Sequence, residues 1–393
     1  EAHIAAVQLD DFVDTTPAQI VHPGKLDRSA AEAVCQQCHL QAAAAIAAPG
    51  QNAWSFRPGD ELRPHRSDFQ RTDSAGNKVV GHVEQLHLSR CYTQTSTLTC
   101  VTCHDPHHQP RPEDQIDIYR DACLQCHQDV ECGVDRMKRI ATNDNDCSAC
   151  HMPKIDTEIS HAALHNHTIA VFDAKGEIVS TPPELPTDSL KDVLTVPDLP
   201  AEERDRRRAI ATVKLSMMDP AFKATETELK SAYQYLMETY RQGQNADRDG
   251  RLKLAQLALS ARQSDLALQV AESILTDDVP DDIEQAVALE ILARLESGRG
   301  NVAIAEEYYN QLIRRRQNAN DYYSLALCRL SSDDIDGCIE LAEKALSLKP
   351  DLIPAHEMLA ELLSTVRPQQ ATRHATVARQ LNVARQQAQK RPK

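Results

Sequence analysis

The pentapeptide Cys100-Val101-Thr102-Cys103-His104 is followed by Cys123-Leu124-Gln125-Cys126-His127 and Cys147-Ser148-Ala149-Cys150-His151, and a fourth copy stands upstream at Cys35-Gln36-Gln37-Cys38-His39. Each copy places two thiols three positions apart directly before an imidazole. This is the attachment signature of a c-type haem, because the thiols form thioethers to the two vinyl groups while the histidine reaches the iron. The sequence therefore predicts four haem c groups, with these attachment cysteines and proximal ligands: Cys35, Cys38, Cys100, Cys103, Cys123, Cys126, Cys147 and Cys150, and His39, His104, His127 and His151.

Two other chemistries use paired cysteines. A structural zinc site takes four protein ligands per ion, and it leaves the histidine after every cysteine pair unexplained. Thioredoxin-like redox chemistry places a dithiol beside a βαβ unit, whereas this half of the chain has four dithiols and no such pattern. Covalent haem accounts for all four motifs at once.

Composition divides the chain into two halves of different charge. The 393 residues carry a formal net charge of −15, and only 4% of them are aromatic. Residues 1–185 hold 15 Lys and Arg against 26 Asp and Glu, a net −11, while residues 186–393 hold 28 against 32, a net −4. Haem macrocycles are large apolar plates that compensate for missing aromatic side chains. The acidic surface argues against nucleic acid and favours basic partner proteins.

The order of the chain predicts a tetrahaem domain at 1–185, a Pro-rich linker at 186–200 and a helical repeat domain at 201–393. A helix is expected from Arg28 through the first motif to Ala48, where Pro49-Gly50 ends it. Residues 51–80 are rich in turn formers and are expected to form a loop over a cofactor. A second helix is expected from His82 to Arg90. No apolar run approaches the roughly 20 residues of a membrane-spanning helix.

Four cysteines lie outside the motifs. Cys91 and Cys132 lie among the predicted haems and are candidates for a disulfide, although connectivity does not follow from sequence. Cys328 and Cys338 fall in the helical half, where buried thiols that behave as small hydrophobes are expected.

Pairs of small residues 12 positions apart recur after residue 201, and successive pairs begin 38 and 33 residues apart. The pairs are Ala255 and Ala267, Ala293 and Ala305, and Ala326 and Cys338. These positions resemble the helix crossings of a tetratricopeptide repeat, whose period is about 34 residues. The predicted fold is therefore mainly α, a loop-rich haem-packed domain followed by an α-solenoid with a concave docking surface. A generic helical bundle is the alternative.

The sixth ligand of each iron decides the chemistry, because an iron with two imidazoles has no open position for a small molecule. Histidines outside the motifs in the first half are His3, His22, His65, His82, His87, His107, His108, His161, His165 and His167. His107 is expected to serve a neighbouring haem, because the run His104-Asp105-Pro106-His107 is too short and stiff to turn back on its own iron. His82 begins a predicted helix and is expected to point inward. The three histidines that follow the last motif are candidates to close one or two sites.

Several runs resemble the multihaem cytochromes c related to cytochrome c554, in the branch that carries C-terminal tetratricopeptide repeats. The runs are Pro58-Gly59-Asp60, Gly81-His82-Val83-Glu84-Gln85, Ser89-Arg90-Cys91-Tyr92, Leu98-Thr99-Cys100, Cys103-His104-Asp105-Pro106-His107, Cys150-His151-Met152-Pro153 and Ile159-Ser160-His161. The resemblance implies that His82, His107, His161 and His167 are distal haem ligands. Such proteins usually carry further haem motifs upstream, and Glu1-Ala2-His3 resembles the end of that part. His22 and His65 are not positions expected from the family and are candidate ligands specific to this chain.

These features support three functions. The leading hypothesis is electron transfer through four bis-histidine haems, with repeats that bind redox partner proteins or sister subunits. In its sharpest form subunits stack into an extracellular filament, with His3 or His22 reaching across a junction. The alternative is a multihaem oxidoreductase acting on a small nitrogen or sulfur compound at an open haem, with Tyr92 and Arg90 as candidate proton donors. A third hypothesis is an assembly scaffold that its haems connect to a larger complex.

The cofactor also predicts the compartment. Haem c is normally attached outside the cytoplasm, so a periplasmic or extracellular location is expected. No secretory leader is visible in this chain, and we expect that a leader, or a longer segment, has been removed or was not included.

Overall fold

A computed structural model describes residues 21–52, 54–72, 81–155, 164–173, 178–179, 189–195, 197–243, 247–277 and 283–389. The protein is mainly helical and divides into two compact units, Glu1–Ala232 and Tyr233–Lys393. Residues 190–192 of the predicted linker form a strand within the first unit. The domain limits at 185 and 200 stay a prediction from sequence.

Short helices and turns carry the four motifs. The helices are α1 (Arg28–His39), α2 (His82–Leu88), α3 (Arg90–Gln94), α4 (Gln115–Leu124), α5 (Arg136–Asn143) and α6 (Cys147–His151), with 3₁₀ turns at Pro23–Lys25, Cys100–Thr102 and Asp129–Glu131. Helix α1 begins where the Asp27 carboxylate accepts the Ala30 N–H at 3.0 Å, and it ends at the motif histidine His39. The helices expected at Arg28 and at His82 are confirmed.

A three-stranded antiparallel sheet holds the first unit together. Strand β1 (Ala44–Ala47) pairs with β2 (Arg66–Arg71), which pairs with the strand Leu190–Asp192. The helix predicted to continue to Ala48 and the loop predicted over 51–80 were therefore wrong in these parts. Strand pairing buries Ile46 and Phe69 to 1% and 2% exposure, and this tertiary packing outweighs the high helix propensity of the alanine run.

A second, two-stranded pairing joins two segments that both follow the last motif. It consists of β3 (Lys154–Ile155) and β4 (Leu164–His165), so the strand Leu190–Asp192 is β5. This pairing returns the chain to the motif and places the two histidines after β3 that the structure describes, His165 and His167, beside it.

Helix α7 (Ala201–Met218) packs across strand β1. Arg206 Nη1 donates to the carbonyl oxygen of Ala47 at 2.9 Å. Arg207, 1% exposed, donates to the carbonyl oxygens of Arg63 at 2.7 Å and Pro64 at 3.1 Å and also pairs with a glutamate one turn earlier. These bonds satisfy a fully buried guanidinium and tie the helix to the sheet.

Antiparallel helix pairs repeat through the rest of the chain. After α8 (Glu226–Arg241) come α9 (Arg248–Ser260) with α10 (Ser264–Leu275), α11 (Ile283–Gly298) with α12 (Val302–Arg315), α13 (Ala319–Ser331) with α14 (Ile335–Leu348), and α15 (Ile353–Leu362) with α16 (Pro368–Gln389). The first helices of these pairs begin 35, 36 and 34 residues apart. This spacing is that of a tetratricopeptide-like solenoid, as predicted.

The small residues that predicted the repeat are its buried crossing points. Ala255, Ala267, Ala293, Ala305, Ala326 and Cys338 are all 0% exposed. Small side chains allow the two helices of a pair to approach closely, and the turn inside successive pairs uses a left-handed residue, Arg262 (φ 58°), Gly300 (φ 81°) and Asp333 (φ 62°). Cys328 is 2% exposed, so both thiols of this half act as small core residues, as expected. No helix in the part of the chain that the structure describes is long and apolar enough to cross a bilayer.

Candidate haem-binding site

Four imidazoles form a cluster in the first unit. The ring centroid of His82 lies 5.3 Å from that of His39 and 4.6 Å from that of His167. The ring of His167 lies 6.2 Å from that of His104. The structure therefore brings the histidines of the first two motifs together with two of the proposed distal ligands.

Backbone carbonyl groups orient the ring of His167 in this cluster and the ring of His151 in the last motif. Nδ1 of His167 lies 2.9 Å from the carbonyl oxygen of His165, and Gln85 Oε1 accepts the His167 N–H at 2.8 Å. Nδ1 of His151 lies 2.9 Å from the carbonyl oxygen of Ala170. A ring that donates from Nδ1 to a carbonyl presents the lone pair of Nε2, which is the arrangement that metal-ligating histidines use.

The environment keeps the inner rings neutral. Burial, assisted by neighbouring imidazoles, lowers the pKa of His167 to about 4, although the hydrogen bond of this ring to the His165 carbonyl oxygen acts in the opposite direction. Burial also lowers the pKa of His82, followed by the effects of His39 and His104. Nδ1 of His82 is buried and has no hydrogen-bond partner among the described residues. Neutral imidazole is the form that binds a metal.

The motif thiols meet in two pairs. Cys35 of the first motif and Cys100 of the second are neighbours, and the interaction of the two thiols lowers the pKa of Cys35 to about 7 and raises the pKa of Cys100. Cys123 of the third motif lies against Cys147 of the fourth, and burial, followed by this neighbour, raises the pKa of Cys123 to about 12. Attachment points that follow one another in sequence are therefore neighbours in space.

The two cysteines between the motifs are not joined. Cys91 and Cys132 are both free thiols. Cys91 lies near Cys103 and Cys123, and Cys132 lies near Arg139, so the candidate disulfide is not formed in this structure.

The chain from Cys91 to Cys150 forms almost no core of its own. Within this fully described stretch only Asn145 is buried. Its exposed large apolar side chains are Val101, Ile118, Leu124, Val130, Val134, Met137 and Ile140. A folded segment of this length needs apolar surface to pack against. Haem c fits this requirement, because each macrocycle would stand beside its own thiols and cover apolar side chains.

Other candidate ligands lie at the surface. The side chain of His127 is 62% exposed and its Nδ1 is 3.8 Å from Glu131. His107 is exposed on the turn after the second motif and is not in the imidazole cluster. Among the described residues, the structure does not pair His107 with a motif histidine. Its proposed role as a distal haem ligand therefore rests on the sequence resemblance.

His22 has a different hydrogen bond from the clustered histidines. It is exposed, and its Nδ1 accepts the Gly24 N–H at 3.1 Å. A neutral ring that accepts at Nδ1 carries its proton on Nε2, so this arrangement does not present a ligating nitrogen. His3 and His161 lie outside the described residues.

Sequence reasoning missed a buried polar network beside the first two motifs. Glu32, 3% exposed, accepts from the Tyr92 hydroxyl at 2.8 Å and lies 3.4 Å from His87 Nε2. The Arg28 guanidinium lies 3.2 Å from the centre of the Tyr92 ring, donates to the carbonyl oxygen of Thr95 and pairs with Glu32. The network joins α1 to the segment that leads into the second motif. Its one local signal was the Arg28 and Glu32 spacing of four residues.

Residues 95–131 match the family described as a doubled CXXCH motif. The match includes Cys100–His104 and Cys123–His127 and supports covalent binding of haem c, the cofactor of electron-transferring cytochromes c. A comparison with curated proteins finds no match.

Solved structures of MamA are similar to the helical part. One MamA crystal structure shares 19% identity and covers 41% of this chain and 93% of its own, with a TM-score of 0.37. The segment 41-end of MamA from Desulfovibrio magneticus RS-1 shares 18% identity and covers 47% of this chain and 98% of its own, with a TM-score of 0.38. The resemblance to the cytochrome c554 family stays an inference from the sequence.

Proposed function

We propose that this protein transfers electrons through four covalently bound haem c groups, one at each CxxCH motif. The observation that carries the proposal is the pairing of attachment points, with Cys35 against Cys100 and Cys123 against Cys147. Haem c, when bound, supplies a reversible one-electron iron couple. Side-by-side attachment allows electrons to pass along the chain without a mobile carrier.

The clustered imidazoles support closed, bis-histidine irons at the first two motifs. His39 and His104 would be the proximal ligands, and His82 and His167 would be the distal ligands. Burial holds both of the latter rings neutral, and the carbonyl bond at Nδ1 of His167 leaves its Nε2 available. His107 and His161 are proposed as distal ligands of the remaining haems on the sequence resemblance.

The alternative function is a multihaem oxidoreductase with one open iron. Tyr92 was a candidate proton donor for that chemistry, but its hydroxyl donates to Glu32 and its ring lies between Arg28 and His87. This residue therefore has a structural use. The enzyme hypothesis rests on an iron without a second histidine, which spectroscopy tests.

The helical pairs are proposed to bind redox partner proteins or sister copies of the chain. Stacked helix pairs leave an extended surface open for docking. Association of copies into an extracytoplasmic filament would make the electron path continuous.

The first experiment is an EPR and visible spectrum of the purified ferric protein, repeated after reduction under carbon monoxide. Mass spectrometry of the same sample counts the attached haems. Four haems, low-spin signals and no carbon monoxide shift are expected. A high-spin signal with a carbon monoxide-bound fraction would contradict the closed sites and support the oxidoreductase.

A further inference from the structure

The last helix of the protein carries arginine and no carboxylate. From residue 362 to 393 the sequence has seven Lys and Arg and no Asp or Glu. Arg373, Arg379 and Arg385 on α16 are all exposed. Six residues advance the helix by about 9 Å and by one and two-thirds turns, so the three guanidinium groups spread around the helix. Helix α16 is therefore positive over much of its exposed circumference.

Neighbouring helices balance only part of this charge. Glu357 and Glu361 of α15 line the groove that also contains Arg379. Arg373 and Arg385 form no ion pair with the residues that the structure describes. The cations of this end helix that lack an ion pair are free to meet an anionic surface.

An anionic surface follows the second haem motif and includes the third. Residues 105–131 contain seven Asp and Glu against two Arg, a net −5. Glu113, Asp117 and Asp121 recur at four-residue spacing, and their side chains are 63%, 71% and 71% exposed. Asp117 and Asp121 repel one another on helix α4, and Arg120, 2.7 Å from Asp117, offsets only part of the repulsion. We call residues 105–131 the acidic motif surface.

We propose that helix α16 of one copy docks on the acidic motif surface of a second copy. This inference rests on the self-association in the proposed function and names the two surfaces that meet. Each copy presents one surface of each sign, so the contact is heterologous and can repeat into a linear assembly. A second copy is favoured over nucleic acid because a chain of net charge −15 repels a polyanion at longer range.

Salt is the first probe of this contact. Exposed ion pairs are screened as the Debye length falls from about 10 Å at 0.1 M salt to about 3 Å at 1 M. Sedimentation velocity of the haem-loaded full chain should show association that weakens at least about tenfold over this range.

Charge reversal on both surfaces tests the pairing. Three triple variants are compared: Arg373→Glu, Arg379→Glu, Arg385→Glu on α16; Glu113→Lys, Asp117→Lys, Asp121→Lys on the acidic motif surface; and Arg314→Glu, Lys344→Glu, Lys349→Glu as a control elsewhere on the repeat helices. All nine positions are exposed or bear side chains more than half exposed. Each of the first two variants should remain monomeric, a mixture of the two should associate, and the control should behave as the unmodified chain.

The outcomes separate this inference from the proposed function. Association that persists in high salt and in both reversal variants overturns the docking surfaces but leaves self-association intact. A monomer at every salt concentration overturns self-association itself. If the unmodified chain binds added nucleic acid or anionic vesicles and the α16 variant does not, while both self-associate equally, helix α16 has a different partner. That result overturns the inference. Circular dichroism and the haem spectrum, measured on every variant, report folding and haem binding independently.

Discussion

Replacing Glu32 with alanine is expected to destabilise the first unit by about 3 kcal/mol. The carboxylate is 3% exposed and accepts from the Tyr92 hydroxyl at 2.8 Å. It also pairs with Arg28 Nε at 3.5 Å and lies 3.4 Å from His87 Nε2. The substitution leaves a phenol and a guanidinium without their anion.

The magnitude follows from those two losses. A buried hydrogen bond to a charged group contributes about 1.5–3 kcal/mol, and removing one partner of a buried ion pair costs about 3–5 kcal/mol. The Arg28 side chain keeps 20% exposure and retains its bonds to backbone carbonyls, so the lower end of that range applies. The pKa of Tyr92, now raised by burial and then by Glu32, should fall towards its ordinary value.

Urea denaturation of the haem-loaded protein measures this effect. The Soret band follows the first unit alone, which avoids assuming a single transition for the whole chain. Glu113→Ala, at a side chain 63% exposed, is the control and should change stability by no more than about 0.5 kcal/mol. A double-mutant cycle of Glu32→Ala with Tyr92→Phe should give a coupling of about 1 kcal/mol. A loss below about 1 kcal/mol for Glu32→Ala, or additivity in the cycle, would refute the reasoning.

Three further outcomes are expected. Arg207→Ala removes a fully buried guanidinium from two backbone carbonyls and should lower the free energy of unfolding by about 3 kcal/mol, measured by urea titration; a loss near zero would contradict its anchoring role. Burial, then His356, lowers the pKa of His374, so the unfolded chain binds the proton more readily and stability should fall as pH drops below 6.5. His374→Asn should reduce this dependence of stability on pH, measured by denaturation at several pH values. An unchanged dependence would show that another group causes it. Cys126→Ser should weaken or remove one haem attachment in the intact mass, whereas Cys91→Ser should leave four; a lower count in Cys91→Ser would show that this thiol takes part in attachment.

Local spacing predicted the chemistry and the period of the fold. A haem motif is five consecutive residues, so its meaning does not depend on distant contacts. The repeat was equally visible, because Ala255 and Ala293 occupy the same crossing point in successive helix pairs and both are 0% exposed. The capped helix at Arg28 followed from the same short-range signals.

Long-range pairing decided what the sequence could not show. The alanine run after the first motif became strand β1 only because Phe69 lies beside it, 25 positions from Ala44. The bond from the His167 N–H to Gln85 spans 82 positions, and the network around Glu32 spans 60 to Tyr92.

The sequence by itself therefore determined that the chain binds haem c covalently and how often the helices recur, since both are set by covalent spacing along a few turns of chain. Only the tertiary structure decided which imidazoles stand together, which strand replaces an expected helix and which buried carboxylate joins the first two motifs. These depend on the packing free energy of segments far apart in the chain, and that energy exists only after the chain has folded.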